Sequence, residues 1–145
     1  MRLFLQREAT QTPDNNLVPV KTYSNADKEK ESVYKENRKK SGVYCWTNLI
    51  NGNRYVGSSV NLTRRFSWYY NLTTLVKHKK VSLMSKALLK YGHSEFRLDI
   101  LEYCDSNEVL KREQYYLDLL NQSTIFYQKL VQLLGTSTQK KLELS

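Results

Sequence analysis

No acidic residue lies between Glu36 and Glu95, and the 58 positions from Asn37 to Ser94 carry eleven Lys and Arg. Their local charge of +11 exceeds the +9 of the whole 145-residue chain. A one-signed surface of that size repels itself, and a polyanionic partner is the simplest way to explain its folding. The flanks carry no such excess: residues 1–36 hold six basic and six acidic groups, and residues 95–145 hold six basic and eight acidic. A basic excess confined to the middle of a chain marks a binding face, for which a phosphate backbone is the expected target.

The remaining bulk properties narrow the classes. A chain of 145 residues with 40% hydrophobic and 12% aromatic content has material for one compact core and a tail. No 18-residue apolar run is present, so no membrane span is expected. Cys45 and Cys104 lie far apart, and with only His78 and His93 available they form no zinc-ligand pattern. Both cysteines read as small buried hydrophobes in a reducing compartment. Neither a P-loop nor a dinucleotide fingerprint occurs. His93, which follows a helix-ending glycine, is expected to be exposed, and no histidine has the acidic partner that a Ser-His-Asp or Cys-His mechanism needs. The apolar run near Met1 is too short for a secretory signal. Arg2 and Arg7 hint at a transit peptide, whereas Glu8 and Asp14 argue against one.

Three segments follow. Residues 1–40 are polar and contain both prolines, Pro13 and Pro19; they predict a flexible linker. The ordered domain is expected over 41–130, followed by a short tail over 131–145. Val43 to Thr47 favours a strand, Asn51-Gly52 a two-residue hairpin turn, and Arg54 to Gly57 the return strand. Such a turn would put Tyr44 and Tyr55 on one face of the hairpin. Asn61 is expected to cap a helix reaching about Tyr70, with Leu62, Arg65, Phe66 and Tyr69 on one face. Lys77 to Lys80 reads as a basic loop. Ser82 opens a second helix that Gly92 ends. Phe96 to Ile100 alternates as a half-buried strand with Asp99 on its polar side. Asp105 and Glu108 resemble a capping box for a third helix to about Leu120. The order β-β-α-α-β-α predicts a small α/β (α+β) domain, a three-stranded and mainly antiparallel sheet flanked by helices.

Two charged residues break the apolar faces. Glu113 stands between Val109 and Tyr116 on the third helix's apolar stripe. A buried carboxylate has to be paired or bind a cation, so Glu113 is an ion-pair partner of Arg65 or Arg97, a metal ligand, or a residue that a rolled helix turns to the surface. One carboxylate completed by waters and a phosphate oxygen suits Mg²⁺. Arg65 likewise reads either as a carboxylate partner or as a phosphate clamp. A tyrosine of ordinary pKa is a poor base at neutral pH unless positive charge lowers it, and the basic segment around Tyr44 and Tyr55 is expected to supply that charge. Arg54, Ser58, Ser59, Arg64, Lys77, Lys79 and Lys80 are candidate phosphate contacts, with solvation as the alternative for the lysines.

Gly42-Val43-Tyr44, ten residues, then Tyr55-Val56-Gly57, a helical arginine at 65 and a helical glutamate at 113 resemble the GIY-YIG nuclease family. Trp46 to Gly52, Ser58 to Phe66, Ala87 to Gly92, Leu98 to Cys104 and Arg112 to Asp118 are similar to its fungal mitochondrial branch encoded in group I introns. The resemblance covers about residues 18–128. It implies a homing endonuclease that hydrolyses phosphodiester bonds of double-stranded DNA with one Mg²⁺ or Mn²⁺, in mitochondria. By position it makes Tyr44 the tyrosine proposed to deprotonate the attacking water and Tyr55 its helper. Arg65 becomes the phosphate stabiliser and Glu113 the metal ligand, and Tyr69 takes a place where relatives carry His or Tyr. Two departures are visible. Tyr127-Gln128 replaces the branch's usual Tyr-Asn, and residues 130–145 do not resemble its DNA-recognition region. Both leave room for an alternative, a catalytically impaired nucleic-acid-binding relic.

Overall fold

The computed structural model describes residues 17–133, with side chains to residue 121. Its frame is one four-stranded antiparallel sheet, made of β1 (Lys21–Tyr23), β2 (Gly42–Asn48), β3 (Arg54–Ser59) and β4 (Phe96–Tyr103) in the order β1-β4-β2-β3. The helices are α1 (Lys30–Glu36), α2 (Leu62–Tyr70), α3 (Leu72–His78), α4 (Leu83–Tyr91) and α5 (Val109–Leu133). The expected α/β class holds, with a fourth strand added.

That strand corrects the linker reading of residues 1–40. β1 pairs with β4, placing Lys21, Thr22 and Tyr23 opposite Ile100, Asp99 and Leu98. Tyr23, Ala26 and Val33 are fully buried core residues, and Asn37, also buried, ties them together. Its Nδ2 donates to the Tyr23 hydroxyl and the Val33 carbonyl, and its Oδ1 accepts from the Tyr103 hydroxyl. Residues 1–16 and 134–145 lie outside the described residues, so most of the expected tail does too.

The hairpin turn is longer than the sequence predicts. Asn48 N donates to Asn53 O, and the Asn48 side chain accepts from Ile50 N and Asn51 N. The strands therefore close over Leu49–Gly52 with Trp46 opposite Tyr55 and Tyr44 opposite Gly57. This register is offset by two residues from the one a turn at 51–52 gives. Because an even offset preserves the face, Tyr44 and Tyr55 still share one. Three more expectations change. Lys77 and His78, read as the start of a basic loop over 77–80, instead close the helix α3. Asp99 is buried, binding Arg97 at 3.1 Å and Thr22 at 2.7 Å. Asp105 makes no side-chain cap, and its carbonyl instead accepts from Glu108 N.

The sheet divides the core. On one face Tyr23, Tyr44, Trp46, Leu98 and Ile100 pack with Leu62, Phe66, Leu75 and Leu88 of α2, α3 and α4. On the other, Val43, Cys45, Val56 and Leu101 meet Tyr116 of α5. Glu102 fastens α5 to β4 by accepting two hydrogen bonds from Arg112, at 2.8 and 2.9 Å, and one from the Tyr116 hydroxyl at 2.8 Å. Among the described residues no helix is long and apolar enough to cross a membrane.

Candidate active site

The site forms where the two faces meet at the C-terminal end of the edge strand β3. Asn61 opens α2 by accepting from Arg64 N, and the helix then presents Arg65, Phe66 and Tyr69 to the hairpin. The Tyr44 ring lies edge-on to Phe66, with centroids 5.1 Å apart, and its hydroxyl is 3.4 Å from that of Tyr69. Gly57 stands opposite Tyr44, and a Cβ there would lie 2.5 Å from the phenol oxygen. The phenol thus lies against bare backbone. Gly42 serves a similar end: its missing side chain makes way for the Glu102 carbonyl, beside the irregularity in the β2–β4 pairing at Val43/Tyr44.

Arg65 Nη1 donates to the Ser58 carbonyl at 3.3 Å, and the guanidinium lies 5.4 Å from the Trp68 ring centroid. Burial disfavours its charge, yet Tyr44, Tyr69 and Glu113 hold its pKa above the ordinary value. Glu113 reaches the same place from α5, and its Oε1 accepts from the Ser58 hydroxyl at 2.5 Å. Arg97, the other suggested partner of Glu113, is instead paired with Asp99.

Tyr44 departs from the expected electrostatics. Its pKa stands well above 10, because burial raises it, as do the neighbouring Tyr69 phenol and the contact with it, against the smaller opposing pull of Arg65. The basic segment does not lower it, since desolvation of a phenolate outweighs one adjacent cation. Tyr44 is a neutral phenol at physiological pH.

Tyr55 is half-buried, packed against the same core as Tyr44. Tyr69, also half-buried, is braced by His93, whose Nε2 donates to the Tyr69 carbonyl at 2.6 Å and whose ring stacks on Tyr70. His93 is therefore a packed residue rather than the exposed one its position after Gly92 predicts. The remaining candidates fall on two sides of the sheet. Arg64, Lys77, Lys79 and Lys80 are exposed on the helical side. Arg54 lines a cavity of about 250 Å³ with Arg97, Asp99 and Cys45. Ser58 is buried with its hydroxyl given to Glu113. Cys45 is buried too, and desolvation pushes its thiol up to about 11, so it is an inert packing residue.

Among the described residues no three His, Cys, Asp or Glu side chains cluster to hold a metal ion. Glu102 and Asp99 are committed to arginines. Glu113 is the carboxylate beside Ser58 and Arg65, and among the described residues Ser58 bonds its Oε1, which leaves acceptor capacity for a cation. That donor set fits a hard cation completed by water and substrate oxygens.

A small antiparallel sheet at whose edge the Glu113 carboxylate of α5 and the Arg65 guanidinium of α2 meet, beside the buried Tyr44 phenol, is the frame of the site. The sequence profile of the GIY-YIG catalytic domain matches residues 40–126, and the chain belongs to that family. "Probable intron-encoded endonuclease 1" of Neurospora crassa is 31% identical over 98 residues, covering 65% of this chain and 30% of that protein. The chain thus matches under a third of that relative's length. Two solved structures of the catalytic domain of the homing endonuclease I-TevI, one of them a mutant, are each 27% identical. They cover 57% of this chain and 84% and 89% of theirs, with TM-scores of 0.47 and 0.46.

Proposed function

We propose that this chain is a DNA endonuclease that hydrolyses phosphodiester bonds at the β3 edge with the help of a divalent cation, Mg²⁺ or Mn²⁺. The observation that carries the reading is the convergence of Arg65 and Glu113, from helices on opposite faces of the sheet, upon one residue of the edge strand. The family match and the name of the Neurospora relative support the same activity.

In this reading a DNA phosphate sits beside Arg65, whose planar guanidinium binds two phosphate oxygens and gains strength as negative charge accumulates. Glu113 would hold the cation, which would supply Lewis-acid polarisation and stabilise charge developing on the leaving oxygen. Tyr44, being neutral, orients the attacking water through hydrogen bonding in concert with Tyr69, and Tyr55 borders the same face. Arg64, Lys77, Lys79 and Lys80 contact the flanking backbone. The double-stranded form of the DNA, the homing role and a mitochondrial setting belong to the same proposal. They rest on the resemblance to the fungal intron-encoded branch.

Nicking of supercoiled plasmid tests this. Wild-type protein at low salt should nick with Mg²⁺ or Mn²⁺ and stop with chelator, and Glu113→Ala and Arg65→Ala should each lose at least a hundredfold in rate, an estimate of roughly 3 kcal/mol in barrier. Absence of wild-type nicking with either ion would sink the proposal. Tyr127-Gln128, whose side chains lie outside those described, departs from the branch's usual Tyr-Asn by one methylene and is the ground for a second reading, an impaired relic. Gln128→Asn should then raise nicking while DNA binding stays the same.

A further inference from the structure

Ser58 joins the two charged groups of the site, and its two functions are separable. Its side chain donates to Glu113 Oε1 at 2.5 Å, while its main-chain carbonyl accepts from Arg65 Nη1 at 3.3 Å. Glu113 lies 55 positions away in sequence, on α5, and Arg65 lies on α2. The two helices pack on opposite faces of the sheet. The strand between them is held firmly. Ser58 pairs with Val43 of β2 and is only 8% exposed, and its neighbour Gly57 lies beneath the Tyr44 phenol.

A serine hydroxyl has a single proton. Given to one oxygen of an ionised carboxylate, it makes a short charge-assisted bond. Oε1 is thereby fixed, and with it the plane of the carboxylate and the direction in which Oε2 faces. Without that bond, Glu113 keeps its place on α5 but its terminal torsion is broad. A ligand supplying one carboxylate to a cation depends on that orientation more than one sharing the ion with several side chains.

We propose that Ser58 is a positioning residue that aims the Glu113 carboxylate at the divalent cation, while its carbonyl keeps Arg65 in register with that carboxylate. The proposal rests on the endonuclease reading above and adds a residue to it. Ser58 touches neither substrate nor cation. Its hydroxyl acts through Glu113, and its carbonyl through Arg65.

The test measures Mn²⁺ affinity of the full chain by titration calorimetry, with plasmid nicking alongside. Ser58→Ala removes the hydroxyl and keeps the carbonyl. It should weaken Mn²⁺ binding tenfold or more, the scale on which groups supporting a metal ligand act, while metal-free DNA affinity stays within twofold. Ser58→Thr restores the hydroxyl and should recover affinity to within about threefold, which separates positioning from a folding defect. Ser67→Ala, which deletes an exposed hydroxyl bonded to the Arg64 carbonyl on α2, should leave Mn²⁺ binding unchanged. In a Glu113→Gln background Ser58→Ala should add nothing further. If wild-type and Ser58→Ala bind Mn²⁺ equally, the positioning role is wrong even though the enzyme cuts DNA. If the wild-type protein neither binds Mn²⁺ nor nicks, the endonuclease reading falls and takes this inference with it.

Discussion

An added Cβ at Gly57 would meet the Tyr44 hydroxyl at 2.5 Å and its Cζ at 2.7 Å. The ring cannot retreat, because Phe66 lies against it and the residue is almost wholly buried. Gly57→Ala should therefore expel the phenol, destabilise the fold by about 1–3 kcal/mol, and cut nicking at least as deeply as Tyr44→Phe, which keeps the ring's packing. Thermal melts beside plasmid assays would show this. A glycine variant that melts and nicks like wild type would mean that Tyr44 is not seated on the strand as described. At this scale the residue types of the site were readable, since Arg65 and Glu113 are charges interrupting apolar helical stripes. Their meeting place was not. Ser58 looks like any serine after a strand glycine, and only the register Val43↔Ser58 turns its side chain towards α5. The neutral state of Tyr44 was equally hidden, because net charge is visible in a sequence while burial is not.

The elements divide in the same way. Strands β2 and β3 announce themselves by strand-favouring residues around Asn51-Gly52, β4 by alternation, and helices α2, α4 and α5 by periodic apolar residues, with Asn61 and Ser82 as caps for the first two. α1 and β1 do not, because a three-residue strand has no measurable period and a helix rich in both signs of charge reads as a solvated segment. Their place is set by tertiary contacts, above all by Asn37, whose amide serves Tyr23, Val33 and Tyr103 at 3.0, 2.8 and 2.7 Å. Asn37→Ala removes three hydrogen bonds of a buried side chain at once and should lower stability by on the order of 3 kcal/mol. Urea denaturation checks this, with the midpoint falling while the slope stays constant. A variant of unchanged midpoint would show that β1 and α1 are not integral to the core.

For the molecule as a whole, the acid-free stretch occupies β2, β3 and the helical layer α2–α4, so the exposed cations of that layer have no acidic neighbour in sequence to neutralise them. Binding to duplex DNA should weaken linearly in a plot of log affinity against log salt. Replacing Lys77, Lys79 and Lys80 together by Ala should reduce the slope by up to about three, one for each phosphate no longer neutralised; an unaltered slope would assign these lysines to solvent. A second whole-molecule consequence comes from the tyrosines. Burial, together with neighbouring Tyr69, raises Tyr44, and burial with the Glu102 contact pushes Tyr116 up to about 12. Tyr23 and Tyr70 are raised as well, chiefly by desolvation. Above pH 10 the unfolded chain, with ordinary phenols, holds fewer protons than the folded one. Stability that is complete below pH 10 is thus lost as pH climbs towards the folded-state values. The buried Cys45 thiol, pushed up to about 11, adds an earlier and smaller loss, so melting temperatures should begin to slip near pH 9 and fall steeply by pH 11.5. A flat profile would mean that these phenols are wetter than their packing indicates. The contribution of β1 to the sheet also sets a rule for protein engineers. Anyone grafting this GIY-YIG domain onto a foreign partner should carry the segment from Val18 onward intact, because a junction cut just ahead of the GIY-like tripeptide would leave the outer side of β4 bare.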